Sequence, residues 1–72
     1  MTDQHAVILF PTSAHVMRAE KLMKRAGFFS RLIPVPRHLS SDCGVCLQVL
    51  RQDASGVRRI LDDGRVDFDE II

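Results

Sequence analysis

"HAVILFPTSAHVMRAEKLMKRAG", residues 5–27, decides the fold. His5–Phe10 is a short apolar run rich in branched side chains, the pattern of a strand covered on both faces and therefore central in its sheet. Pro11, Thr12 and Ser13 break the run. Thr12 or Ser13 can cap a helix that continues to about Ala26, with Gly27 as its stop. On this helix Ala19, Leu22, Met23 and Ala26 share one face, while Arg18, Lys21 and Arg25 make a wet one.

Beyond Gly27, "FSRLIPVP" (29–36) reads as a second strand. Pro34 and Pro36 cannot donate to a ladder, so this strand should lie at an edge or end early. Arg37 to Gly44 is polar loop. "VCLQVL" (45–50) alternates Val45, Leu47 and Val49 against Cys46, Gln48 and Leu50, a third strand. Asp53 is positioned to cap a second helix with Val57, Ile60 and Leu61 facing inward. Gly56 weakens its first turn, and Asp62 and Asp63 stand at the unfavourable end of the helix dipole, so a short, frayed helix ending at Gly64 is expected. "RVDFDEII" (65–72) supplies a last strand with Val66 and Phe68 on one face. The order β-α-β-β-α-β is that of an α+β, ferredoxin-like domain spanning residues 1–72, a four-stranded antiparallel sheet with two helices on one face.

The chemistry sits in "SSDCGVC", residues 40–46. A right-handed first crossover makes strands one and two parallel. The loop 37–44 then meets the start of the first helix at one end of the sheet. Cys43 is expected there, with His15, Arg37 and His38 as neighbours. A helix N-terminus and cations favour thiolate, and Asp42 opposes them. If residues 44–46 are extended, the two cysteines are roughly 10 Å apart at about 3.3 Å per residue, too far for a disulfide unless Gly44 turns sharply. A single reactive Cys43 is favoured over a Cys43–Cys46 redox pair, with Cys46 a packed strand residue or a second thiol. Zinc usually wants four ligands, and the chain offers no complete set, so no metal is assigned.

Composition narrows the partners. The 72 residues carry ten bases and nine acids, a net charge of +1, which gives no electrostatic reason to expect nucleic acid or an anionic membrane. "VCLQVL" has no aromatic residue on which a base could stack, and the chain lacks Tyr and Trp, against an RNA-recognition motif. The run after Met1 is too short for a secretory leader, and nothing approaches a transmembrane length. A cytoplasmic location is expected, where CxxC spacing signals redox or metal chemistry more often than a structural bridge.

Phe10-Pro11, Ala19-Glu20-Lys21, Leu32-Ile33-Pro34-Val35-Pro36-Arg37 and Ser40-Ser41-Asp42-Cys43-Gly44 together resemble a family of small Se/S carrier-like proteins. The resemblance spans nearly the whole chain; Pro-Val-Pro-Arg and Ser-Ser-Asp-Cys-Gly are its most specific blocks. It implies a carrier that holds sulfur or selenium on Cys43 as a persulfide or perselenide. Position 46 is often a small residue such as alanine in the family, which fits Cys46 as packing.

Such a carrier needs a reachable, ionised thiol and donors for an anion. Backbone N–H groups of Ser41 to Gly44 and of Ala14 and His15 can supply them, with the hydroxyls of Ser40 and Ser41; Ser13 and Arg37 complete the supporting set. No resident cofactor is needed beyond the transient sulfur or selenium. Partners would be donor and acceptor proteins. A homodimer through the sheet face away from the helices, where Ile33, Val35 and Leu50 contribute, is also expected. Two other roles compete: a thiol redox or metal-binding module using Cys43 and Cys46 together, and an assembly domain whose cysteines are incidental.

Overall fold

A computed structural model describes residues 4–39 and 44–72. The elements are β1 (His5–Leu9), α1 (Ser13–Ala26), β2 (Ser30–Pro34), β3 (Val45–Leu50), a 3-10 turn (Arg51–Asp53), α2 (Ala54–Asp63) and β4 (Glu70–Ile71). They form a four-stranded sheet in the order β2-β3-β1-β4, antiparallel at every junction. β1 is interior and β2 lies at an edge.

The reason β2 can carry prolines is visible in the ladder. The Val35 N–H donates to the Gly44 carbonyl at 3.2 Å. N–H direction alternates along an antiparallel strand, so position 34 would aim its N–H away from β3. Proline there loses no ladder bond and blunts the exposed edge. Pro36 then opens a turn, its carbonyl accepting from the Leu39 N–H at 2.9 Å.

Ala6, Ile8, Leu47 and Val49 occupy one face of the sheet and form a single core with Phe10, Val16, Ala19 and Met23 and with Val57, Leu61 and Val66. Both helices therefore pack on that face. α1 begins where Thr12, in extended conformation, takes the His15 N–H on its side-chain oxygen, and ends at Gly27 with φ 82. Glycines near the two ends of α2 permit a close approach to Leu22 of α1 and to Phe28 beyond its end. A Cβ at Gly56 would stand 2.8 Å from the Phe28 ring, and one at Gly64 would stand 2.5 Å from Leu22 Cδ1.

The C-terminal third departs from expectation at its two ends, the entry to α2 and the last strand. Asp53 is already helical in φ and ψ and makes no side-chain cap, because the 3-10 turn Arg51–Asp53 leads the chain into α2. α2 ends at Gly64 as expected, with Gly64 itself right-handed and Arg65, φ 56, the left-handed residue that follows. The last strand is only Glu70–Ile71. Val66 is spent on the core before the chain reaches the sheet, so pairing begins late, with Asp69 N–H donating to the Leu9 carbonyl at 2.7 Å.

Candidate functional site

β1 and β2 each run antiparallel to β3, so they are parallel to one another. They finish at the same end of the sheet. α1 starts at that end, and the Val35–Gly44 hydrogen bond closes the base of the β2–β3 connection there. Ser40, Ser41, Asp42 and Cys43 lie within this connection and outside the described residues.

Of the supporting residues that are described, Thr12, Ser13 and His15 form the mouth of α1. The Thr12 hydroxyl oxygen accepts the His15 backbone N–H at 3.3 Å and stands 2.6 Å from His15 Nδ1. Both contacts are satisfied when the Thr12 hydroxyl donates to Nδ1 and the imidazole proton resides on Nε2. The His15 amide, one of the donors assigned to an incoming anion, is thus engaged by the cap. Among the described residues, the amides of Ser13 and Ala14 are the first-turn donors that the helix leaves open. Gly44 has φ 81 and is exposed, with nothing within 4 Å of a Cβ built on it. Glycine is required there by conformation rather than by space.

Arg37 and His38 are exposed residues of the turn that Pro36 opens. His38 and Leu39 do not face α1. They line a hollow of about 280 Å³ with His5, Val7, Ile33 and Gln48, which stand on the sheet face opposite the core residues. The same hollow is bordered by Arg51, whose Nη2 donates to the His5 carbonyl at 2.9 Å. His5 in turn packs against Phe29, ring centroids 5.9 Å apart. The outer face is therefore not the bare apolar surface expected from the sequence. Leu9 and Cys46 are buried without belonging to the helix-side core. The alternation Cys46, Gln48, Leu50 announced this face, but nothing in the residue pattern announced that Pro36–Leu39 would turn back over it.

Cys46 has 0% exposure, and its Sγ–H points to the Pro34 carbonyl at 3.8 Å. A thiol so enclosed cannot meet another protein. Among the described residues, no group of three His, Cys, Asp or Glu side chains is arranged to hold a metal ion, and no helix is long and apolar enough to cross a membrane.

A family model described as "Putative Se/S carrier protein-like" matches residues 5–72. The chain belongs to that family. No curated protein and no solved structure matches it. The match runs from the first residue of β1 to the C-terminal residue and so takes in the mouth of α1, both prolines of the β2 edge and the whole cysteine segment. The Se/S carrier-like description names a cargo, and the cysteine among the described residues, Cys46, is enclosed.

Proposed function

We propose that the protein carries sulfur or selenium on Cys43 and hands it to a partner protein, acting stoichiometrically rather than as an enzyme. Membership of the Se/S carrier-like family over residues 5–72 carries this reading. The burial of Cys46 supports Cys43 as the carrier thiol, because such a thiol must be reached by two proteins in turn. The strand order β2-β3-β1-β4 and the βαββαβ element order support assignment to the ferredoxin-like fold.

The transfer is thiol exchange. The Cys43 thiolate attacks the terminal sulfur of a donor persulfide, donor–S–SH. The electron pair of Cys43 forms the new S–S bond, and the pair of the old bond leaves with the donor as thiolate. The products are Cys43–S–SH and donor–S⁻, with no external oxidant or reductant. With donor–S–SeH the same attack at selenium gives Cys43–S–SeH. The ionised cargo is an anion, for which the open amides of Ser13 and Ala14, the residues Ser40 to Gly44 and Arg37 are the proposed receivers. A cytoplasmic location, with donor and acceptor proteins as partners, belongs to the same reading. For the second copy expected on the outer sheet face, the surface left by the 36–39 turn includes Phe29 and Ile72, 42% and 38% exposed. A single monomeric species in sedimentation at high concentration removes the homodimer from this reading.

The decisive experiment is intact mass spectrometry after incubation with a sulfane-sulfur source. The wild-type chain should gain one sulfur, localised by peptide mapping to Cys43, and Cys43→Ser should gain none. Equal loading of Cys43→Ser would refute the carrier. Rapid appearance of a Cys43–Cys46 disulfide under mild oxidant would favour the redox pair instead.

A further inference from the structure

We infer that the solvent face of α1, built from Met17, Arg18, Lys21, Lys24 and Arg25, is the docking surface for the protein that loads Cys43, and that this partner presents an acidic surface with a recess for Met17. The inference rests on the carrier reading.

Charge is segregated onto this helix. α1 holds four bases, Arg18, Lys21, Lys24 and Arg25, against one acid, Glu20, a net +3 in a chain whose total is +1, so the rest of the chain sums to −2. All four bases are exposed, and Glu20 is half-buried. The helix dipole accounts for Lys24 and Arg25, which lie in the last turn. It does not account for Lys21 further back; Arg18 is engaged by α2, its Nη2 donating to the Gly64 carbonyl at the C-terminal end of that helix at 3.5 Å. Nor is there an acid in the first turn, where the dipole would favour one. Lys21, beside Met17, is therefore the base of this face that neither helix end explains.

Met17 stands among these cations at 57% exposure, the highest of the large hydrophobic side chains among the described residues. It is one residue before Arg18 and one helical turn before Lys21. A flexible thioether ringed by bases is the composition of an interface anchor with a charged rim. A solvated face would account for the bases and leaves Met17 unexplained. Met17 and Arg18 lie toward the sheet end where the cysteine-bearing connection leaves and returns, and Lys21, Lys24 and Arg25 extend the same face along the helix away from it. A nucleic acid is the poorer occupant, since the described part of this face offers no aromatic side chain for stacking.

The test compares two sulfur sources. Inorganic polysulfide reaches Cys43 without docking. A cysteine desulfurase supplied with cysteine presents a persulfide on its own cysteine and must dock. With the triple variant K21E/K24E/R25E, and separately with Met17→Ser, polysulfide loading should match wild type. Loading from the desulfurase should slow about tenfold or more for the triple variant. The wild-type desulfurase rate should fall similarly between about 50 mM and about 500 mM salt. Equal desulfurase rates for wild type and triple variant would overturn the docking surface. So would a wild-type rate no faster than with cysteine alone, or suppression of loading by a short RNA oligonucleotide. Failure of polysulfide to load wild type at all would instead sink the carrier reading beneath it. All the substituted side chains are exposed, and circular dichroism confirms that each variant is folded.

Discussion

Gly44 and Cys46 show how differently neighbouring residues constrain this site. Gly44 holds φ 81 in open space, so a methyl group meets no neighbour and is opposed only by the backbone. Gly44→Ala should destabilise the protein by about 1–2 kcal/mol, measured by urea unfolding, and should slow loading as the base of the cysteine-bearing connection is displaced. Cys46 is constrained by packing. Its sulfur is enclosed on the sheet face away from the helices and directed at the Pro34 carbonyl. Cys46→Ala removes one buried heavy atom and should lower stability by about 1 kcal/mol, while Cys43 still accepts one sulfur by mass. Loss of loading in Cys46→Ala with the fold intact would return the pair of thiols to consideration. The spacing of the two cysteines was legible in the residues, and so was the strand parity of Cys46. Its complete burial was not, because alternation assigns a residue to a face of the sheet and does not say how that face is covered.

At the scale of elements, legibility followed the strength of local signals. α1 was readable at both ends because Thr12 and Gly27 each do a job that few residue types can do: one supplies a side-chain acceptor in extended backbone, the other a left-handed turn. The entry to α2 misled because Asp53 is a good cap by composition, yet the preceding 3-10 turn puts its backbone in the helical region, where its side chain makes no cap bond. β4 misled because Val66 and Phe68 alternate like a strand while packing toward the core from irregular chain. The capping claim is testable by itself. Thr12→Ala removes the acceptor of the His15 N–H and should cost about 1 kcal/mol, with Thr12→Ser restoring most of it. In the carrier reading the same change frees the His15 amide and the imidazole Nδ1 at the mouth of α1. Polysulfide loading of Thr12→Ala compared with Thr12→Ser therefore separates a purely structural cap from one that also shapes the anion site.

The molecule as a whole is a slab, 31 × 29 × 15 Å, with its helices on one face of the sheet and a turn of its own chain over part of the other. A slab of this thickness has room for one layer of core side chains, and Phe10 is among its largest fully buried members. Phe10 follows β1 directly, so its ring joins the core at the end of the sheet where α1 begins. Marginal stability of roughly 0.05–0.15 kcal/mol per residue gives a chain of this length about 4–11 kcal/mol in total. Truncating a buried phenylalanine costs about 3–5 kcal/mol, lost contacts and cavity together. Phe10→Ala should therefore lower the thermal midpoint by tens of degrees or leave an unfolded population at room temperature. Phe10→Leu, which keeps most of the volume, should fold with a much smaller loss. A Phe10→Ala protein with a near-wild-type midpoint by calorimetry would mean that the outer face, with Leu9 and Cys46, contributes more of the stability than the helix-side core. The slab would then have to be understood as two thin cores sharing one sheet.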